Sequence, residues 1–322
     1  MKRTSFVAAC VTAVLAVTSS AAGAQGFPNR TLKIVVPYPA GGIVDLMARS
    51  VTEGLSARLG QSVIVENKPG ASSSIGTETV ANAEPDGHTI LLTTLAFAVT
   101  PNLVKVPWSV VDDFEGVAHM GVVANIVAVT PSLGPTDLPS FVALAKSKPG
   151  INYMNPGNGS SPHVSAELLQ QVNDIKLTSV NYKGVPPSIP DFLNGTVPFG
   201  FFPFATIASH IRTGKARAIA IASPVRHKQF PDVPTMTEQG FKSSQVNSWY
   251  AFAVPKKTPR DVIDRLNKEF NAVLADPAVE AKVEKLGGSI VAGWTPEQTT
   301  RMFADESVRW AQVIKKAGIQ AQ

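Results

Sequence analysis

The chain has 322 residues, a formal net charge of +5 at pH 7 and one cysteine, Cys10. Its lysines and arginines are interspersed with acidic residues and form no basic block with interleaved aromatics, which excludes the usual pattern of a nucleic-acid-binding protein. A single cysteine excludes an intramolecular disulfide, so burial of a hydrophobic core must stabilise the fold.

The N-terminal residues predict a secretory signal peptide. Lys2 and Arg3 precede an apolar run over residues 6–17, and small residues follow up to Ala24. We therefore expect residues 1–24 to be removed by cleavage after about Ala24. The alternative, a lipoprotein signal ending at Cys10, fails because the apolar run would follow that cysteine instead of preceding it.

Strand and helix patterns alternate after this segment, which indicates an α/β architecture with largely parallel sheets. The first hundred residues predict strands at 32–37, 62–66 and 88–94, and helices at 45–59 and 75–83. Such a βαβαβ unit places the loops that follow its strands at one edge of a sheet, where sheets of this type bind ligands.

A second α/β series is predicted beyond residue 117. Its expected elements are a long strand over 117–130, a helix beginning after Thr136, a strand at 151–154, a helix at 164–172, strands at 177–182 and 216–222 around two helical segments, and a strand over 248–255. Three helical segments end the chain. Thr258 and Thr295 are each expected to cap a helix that begins with proline.

Two crossings between these α/β units predict two lobes joined by a hinge, with a cleft between them. We expect residues 25–125 and 251–322 to form a discontinuous first domain. Residues 126–250 are expected to form the second domain. This is the general form of a protein that closes on a solute.

The stretch "IVVPYPAGGIVDLMARSV", residues 34–51, combines a strand, a glycine turn and a helix start. Gly41 and Gly42 let the backbone approach a ligand closely, and free amides at a helix start attract an anion. A plain turn with Asp45 as the helix cap explains the same residues equally well.

Two further loops have similar compositions. In "GASSSIG", residues 70–76, Ser72 and Ser73 offer hydroxyl groups, although for each serine taken singly the pattern slightly favours a helix cap without a ligand role. In "NPGNGSSPH", residues 155–163, two glycines precede Ser160 and Ser161. His163 could bind a carboxylate there or could simply pack in the first helical turn.

Catalysis has no positive support in the sequence. The chain contains neither a G-x-S-x-G nucleophile elbow nor a G-x-G-x-x-G dinucleotide fingerprint. Its five histidines are scattered without the spacing of metal ligands, so neither a metal nor a cofactor is expected. A secreted hydrolase using Ser160 remains a distant alternative, which ester turnover abolished by Ser160→Ala would support.

Six segments together identify a family. They are "VVPYPAGGIVDLMAR", "VENKPGASSSIGTETVANAEPDGHTILLTT", "WSVVDDFEGVA", "NYKGVPPSIPDFLNG", "GKARAIAIASPVRHKQFPDVPTMTEQGF" and "VPKKTPRDVIDRLNKEF". In this order they resemble the Bug family, the TctC-like periplasmic solute-binding components of tripartite tricarboxylate transporters. The resemblance covers about residues 27–318.

The resemblance implies a two-lobed periplasmic binding protein of type II-like fold, with a small carboxylate ligand enclosed between lobes joined by two crossing strands. It further implies a monomer located in the periplasm that delivers its ligand to membrane transporter subunits. An orphan sensor that reports ligand occupancy to a membrane receptor is the alternative, and a neighbouring transporter or sensor gene would discriminate between the two.

The resemblance also implies the ligand-binding residues. One loop would contribute Tyr38, Ala40, Gly41, Gly42, Ile43, Val44 and Asp45, and the opposite loop Gly157, Gly159, Ser160, Ser161 and His163, with weaker carry-overs to Ser72, Ser73 and Thr93. These loops have no cationic side chain except at the flank, Lys68, so a bound anion would depend on amide groups and helix ends.

Departures from the family pattern bear on the ligand. Small polar residues commonly follow the two glycines in the family, whereas this chain has Ile43 and Val44. Where many members have an aspartate, this chain has "FGFFPFA", so Phe202 is expected at the site, although core packing would explain at least half of these aromatic residues. We therefore expect a mono- or dicarboxylate with an apolar or aromatic body.

Overall fold

A computed structural model describes residues 26–321. The predicted signal peptide, residues 1–24, lies outside the described residues. The strands are β1 (Leu32–Val36), β2 (Val63–Asn67), β3 (Thr89–Thr94), β4 (Phe114–Val123), β5 (Asn125–Val129), β6 (Ile151–Asn155), β7 (Leu177–Asn181), β8 (Phe199–Pro203), β9 (Arg217–Ala222), β10 (Ser248–Pro255) and β11 (Gly288–Ile290).

Ten α-helices connect or follow these strands in the described range. They are α1 (Ile43–Leu59), α2 (Ser74–Ala81), α3 (Leu95–Val99), α4 (Leu138–Ser147), α5 (Ser161–Asn173), α6 (Ile189–Leu193), α7 (Phe204–Arg212), α8 (Arg260–Leu274), α9 (Pro277–Lys285) and α10 (Pro296–Ala317). Short 3₁₀ turns at Ala71–Ser73 and Thr100–Asn102 lie beside the cleft described below.

The first lobe contains a six-stranded sheet with the order β11-β4-β10-β3-β1-β2. Strand β1 pairs in parallel with β2 and β3, whereas β10 runs antiparallel to both β3 and β4. The sheet is buried on both faces, since Ile34 and Val36 pack in one core cluster and Val35 packs in another. Burial on both faces explains the continuous apolar run of β1.

The second lobe contains a five-stranded sheet with the order β7-β6-β8-β5-β9. Strand β6 is parallel to β7 and β8, and β5 is antiparallel to β8 and β9. Both sheets are therefore mixed, and the expectation of largely parallel sheets was wrong. Each antiparallel pairing in these two sheets includes β4, β5 or β10, the strands at the two crossings.

The run expected as one strand over 117–130 is two strands in different sheets. Strand β4 ends at Val123 in the first lobe and β5 begins at Asn125 in the second, with Ala124 between them. The chain returns through β10. This confirms a two-lobed α/β fold with a cleft and two crossings, whereas the expected domain limits remain a prediction.

Three helix caps were predicted, of which the structure contradicts two and confirms one. Asp137, and not Thr136, caps α4 through a capping box with Ser140. Helix α8 follows Pro259 without a side-chain cap, so Thr258 does not cap it. Thr295 caps α10, since its side chain accepts a hydrogen bond from the amide of Gln298.

The C-terminal helix α10 packs on the first lobe. Phe303, Trp310 and Ile314 are buried in the same cluster as Phe97 of α3 and Trp249 of β10. Every helix within residues 26–321 is too short or too polar to cross a membrane. Strand β8 was not predicted, because its aromatic run was interpreted as ligand-binding residues and not as a strand.

Candidate functional site

Two adjacent cavities lie between the lobes, where the carboxyl ends of β1, β3 and β6 face one another. The first, which we call the hinge chamber, has a volume of about 60 Å³ and includes Ser248 and Tyr250 of the crossing strand β10. The second, the rim chamber, has a volume of about 160 Å³ and is lined by residues 69–73 and 181–184. Tyr38 and Ser160 line both chambers.

The N-terminus of α1 forms part of the hinge chamber. A helix leaves its first amides without intrahelical acceptors, and Gly42, the cap residue, has no side chain to accept their hydrogen bonds. Gly42, Ile43 and Val44 all line the hinge chamber. The partial positive charge of a helix N-terminus is therefore directed at this space.

Asp45 fixes the turn that precedes α1. Its Oδ2 accepts hydrogen bonds from the Gly41 amide and from Arg49 Nε, each at 3.0 Å. Its Oδ1 accepts one from Asn67 Nδ2 at 3.0 Å. Burial opposes ionisation of this carboxyl group, but the hydrogen bonds from Arg49, Gly41 and Asn67 prevail and lower the pKa of Asp45. Asp45 thus holds the loop and does not line either chamber.

The N-terminus of α5 faces the same chamber from the second lobe. Ser160 caps this helix, with its Oγ accepting from the His163 amide at 3.4 Å and donating to the Gly157 carbonyl at 2.7 Å. Ser161 begins the helix and lines the hinge chamber, and its Oγ accepts a hydrogen bond from Asn125 Nδ2 at 2.9 Å. Two helix N-termini, one from each lobe, therefore converge on one cavity.

His163 lies behind this turn. Its Nδ1 accepts a hydrogen bond from the Gly159 amide at 3.2 Å, and burial lowers the pKa of His163 to about 4. The neutral imidazole thus supports the glycine turn. Because the Ser160 hydroxyl donates to a backbone carbonyl and the histidine ring binds a backbone amide, the two side chains do not form a nucleophile and base pair.

Hydroxyl groups line the hinge side of the site. The hydroxyl groups of Tyr38 and Thr94 lie 3.1 Å apart, and Ser248 Oγ lies 3.5 Å from the hydroxyl of Tyr250. Burial raises the pKa of both tyrosines, so both remain neutral hydrogen-bonding groups. Our sequence reasoning missed Thr94, Ser248 and Tyr250, although a strand that begins with polar residues at a crossing could have indicated the last two.

Lys183 lines the rim chamber from the loop after β7. It is exposed, and it takes part in no ion pair among residues 26–321. Our expectation that only Lys68 brings a positive charge near the site overlooked this loop. The "NYKG" segment belongs to the family pattern and was the signal available in the sequence.

The structure brings together many of the expected residues. Those lining the hinge chamber are Tyr38, Gly42, Ile43, Val44, Ser160 and Ser161, and those lining the rim chamber include Ser72, Ser73 and Gly157. Those that line neither chamber are Ala40, Gly41, Asp45, Thr93, Gly159, His163 and Phe202. Thr93 is replaced at the wall by its neighbour Thr94, since successive strand residues point to opposite faces.

Phe202 lies in the core of the second lobe. It is fully buried against Phe192, with ring centroids 4.7 Å apart. Phe201 packs in the cluster on the other face of the sheet. These rings therefore supply no surface to a bound ligand, and the apolar part of the wall comes from Ile43, Val44 and several prolines instead.

The described part of the chain contains no candidate metal site. No three of its histidine, cysteine, aspartate or glutamate side chains come together in an arrangement that could hold a metal ion.

Comparison with known proteins places the chain among transport receptors. The model of the tripartite tricarboxylate transporter family receptor matches residues 47–319. Protein BugT of Bordetella pertussis is 35% identical over 299 residues, which cover 92% of this chain and 91% of BugT.

Solved structures with similar folds include proteins of the same kind. The periplasmic binding protein BugD superposes with a TM-score of 0.86 at 33% identity, covering 92% of this chain and all (100%) of BugD. Rpa4515 of R. palustris, determined with adipate, gives a TM-score of 0.86 at 29% identity, covering 91% of this chain and 99% of that protein.

Proposed function

Because the chain belongs to the tripartite tricarboxylate transporter receptor family, the Bug family of periplasmic solute-binding proteins, we propose that it captures a small organic carboxylate between its lobes and delivers it to a membrane transporter of that type. In this proposal residues 1–24 direct export and the mature chain acts as a receptor. The family consists of receptors and not enzymes, in agreement with the separate roles of Ser160 and His163.

The observation that carries the proposal is the convergence of two helix N-termini on the hinge chamber. The amides at the starts of α1 and α5 and the hydroxyls of Tyr38 and Ser248 are donors suited to a carboxylate. An anion at a helix N-terminus is stabilised by free N–H groups and by the helix dipole together. Since the α1 and α5 N-termini belong to different lobes, a carboxylate held by both favours closure of the cleft.

The residues lining the two chambers limit the size and polarity of the part of the ligand beyond its carboxylate. Ile43, Val44 and neighbouring prolines supply apolar surface to the hinge chamber. The rim chamber, at about 160 Å³, is below the range of pockets that hold drug-sized ligands. A short carboxylate with an apolar body fits these limits, and adipate, which is bound by the relative Rpa4515, is an acid of this kind.

Calorimetric titration tests this function. We expect binding of adipate-type or benzoate-type acids by the purified protein, and mass spectrometry of retained ligand should detect an acid of this class. Tight binding of citrate or aspartate without binding of any acid with an apolar body would contradict the proposed ligand class. Failure of every carboxylate to bind, with no acid retained, would contradict the function itself.

A further inference from the structure

The two lobes contact each other directly at Asn158, in the second-lobe turn between β6 and α5. The amide N–H of Asn158 donates to Ser72 Oγ at 3.1 Å. Its carbonyl oxygen accepts a hydrogen bond from Thr100 Oγ1 at 3.2 Å. Ser72 and Thr100 both belong to the first lobe, so two hydroxyl groups of one lobe bind both backbone polar groups of one residue of the other.

The turn around Asn158 is fitted closely to the first lobe. A Cβ atom at Gly159 would lie 2.6 Å from Thr100 Oγ1 and 3.0 Å from the Thr100 amide nitrogen. Gly159 also has a φ of +80°, which glycine adopts without strain. Thr100 is fully buried in this contact. The absence of a side chain at Gly159 is therefore what allows the two backbones to meet.

The first-lobe side of the contact is strained. Ser72 has φ 52° and ψ 48°, and its neighbours Ala71 and Ser73 also have positive φ values, of 45° and 76°. Residues other than glycine adopt this region at a cost, and they remain there only when surrounding contacts hold them. The hydrogen bond from Asn158 is one such contact, and it crosses the cleft.

Apolar packing accompanies the hydrogen bonds. Val164, in the first turns of α5, is fully buried in the same cluster as Leu95 and Phe97 of α3. A second-lobe helix thus contributes to a first-lobe core. The lobes consequently gain free energy from contacting each other that does not depend on contacts with a ligand.

We propose that Ser72, Thr100 and Asn158 form an interlobe latch that populates the closed conformation before a ligand binds. Thr100 lines neither chamber, whereas Ser72 and Asn158 also line the rim chamber, so Thr100 is the latch residue that lies apart from the candidate ligand site. The effect of the latch on a ligand follows from linkage: when the binding-competent state is populated beforehand, every ligand of the cleft gains the same factor in affinity. This inference therefore goes beyond the proposed function and does not depend on the identity of the ligand.

The test measures the distance between the lobes without ligand. Spin labels are attached to Glu84→Cys in the first lobe and Lys148→Cys in the second, both at exposed positions, in a chain that begins after the predicted signal peptide and so lacks Cys10. Retained ligand is removed by unfolding, dialysis and refolding, and pulsed electron paramagnetic resonance then gives the distance distribution. We expect a closed and an open population in the wild-type sequence.

Two variants remove the latch in different ways. Thr100→Val keeps the shape of the side chain but removes the hydrogen-bond donor. We expect the ratio of closed to open molecules to fall about fivefold, because this factor corresponds to the net free energy of one ordinary hydrogen bond. Ser72→Gly removes the acceptor while relieving the strained φ, so it should open the lobes without lowering the denaturation midpoint. Thr100→Ser, which retains the hydroxyl, is the matched control and should keep the wild-type distribution.

Each outcome decides the proposal. A shift to the open population in Thr100→Val and Ser72→Gly, with Thr100→Ser unchanged, supports the latch. A ligand-free wild-type protein that is entirely open, or identical distributions in all four proteins, overturns it. Neither result decides whether the protein binds carboxylates, because calorimetric titration of the wild-type protein measures that separately.

Discussion

Gly42 is the residue at which a side chain would interfere most directly with the proposed carboxylate site. A Cβ atom there would lie 3.3 Å from the Pro39 carbonyl oxygen and 4.0 Å from the side chain of Pro186 in the opposite lobe. Its backbone, with φ −77°, is accessible to any residue. A larger side chain would therefore act by occupying the hinge chamber, and not by straining the main chain.

We expect Gly42→Val to reduce ligand affinity at least about tenfold while the fold is retained, since one lost charge-assisted hydrogen bond already contributes about 1.5–3 kcal/mol. Calorimetry gives the affinity, and circular dichroism gives the fold. Gly26→Val, where nothing lies within 4 Å, is the matched control. Unchanged affinity in Gly42→Val would contradict the placement of the carboxylate at α1.

A second prediction at this scale concerns Lys183, whose positive charge lies at the rim chamber and has no ion-pair partner among residues 26–321. We expect Lys183→Ala to weaken binding of the dicarboxylate adipate about two- to fivefold, the range of an exposed charge pair, and to leave the monocarboxylate hexanoate unaffected. The difference should shrink in high salt. Lys148→Ala, at an exposed position away from the chambers, is the control, and equal losses for both acids would contradict a role in binding the second carboxylate.

At the scale of elements, α1 and the turn before it behave as one unit. The carboxylate of Asp45, which is 3% exposed, binds the turn through Gly41, the helix through Arg49 and strand β2 through Asn67. Three elements are thus tied to one buried charge. The free amides of α1 point into the hinge chamber because this network fixes the turn around them.

We expect Asp45→Asn to lower the free energy of unfolding by about 1–3 kcal/mol and to weaken ligand binding as well, because it leaves donors of a buried network unpaired. Urea unfolding and calorimetry measure the two effects. Since the pKa of Asp45 is lowered in the folded state, its stabilising contribution is present above the ordinary carboxyl pKa and is lost as pH falls through the lowered value. The asparagine variant should lose that component of acid sensitivity, and an unchanged urea midpoint would contradict the role of Asp45.

At the scale of the whole molecule, burial lowers the pKa of His119 in the first lobe and of His163 in the second lobe. Burial lowers the pKa of His119, in β4, to about 4, despite a hydrogen bond with the backbone of Val291 that opposes the shift. His163, in α5, has the same value for the same reason. In the unfolded chain both would titrate near the ordinary value of about 6.5.

We therefore expect the free energy of unfolding to fall as pH decreases from about 6.5 to about 4, because the unfolded chain binds protons that the folded chain excludes. Each histidine contributes up to about 1.4 kcal/mol per pH unit in this window. Urea titrations between pH 7.5 and 4.5 measure the slope. His119→Gln should flatten it, and His210→Gln, at a partly buried position in α7, is the comparison; equal slopes in both variants would contradict the assignment.

Only part of the candidate site could be predicted from local sequence patterns. The sequence pointed to the glycine turn before α1 and to Ser160, because glycine and capping residues leave a strong local signal. It did not reveal Thr94, which lies at the chamber wall in place of Thr93. It also did not reveal Ser248 and Tyr250, which reach the hinge chamber because β10 returns between β3 and β4. Asp45 and His163 were expected at the ligand, whereas the structure places them behind their loops as supports.

The amino-acid order by itself determined the α/β character, the helix and strand periodicities and the family, because apolar periodicity and turn residues are properties of neighbouring residues. Tertiary structure alone decided where β4 ends and β5 begins, why Phe202 lies in a core, and how Asn158 of one lobe contacts Ser72 and Thr100 of the other. These features depend on contacts between residues far apart in the chain, and a burial or a hydrogen bond of that kind has no signature in the local sequence.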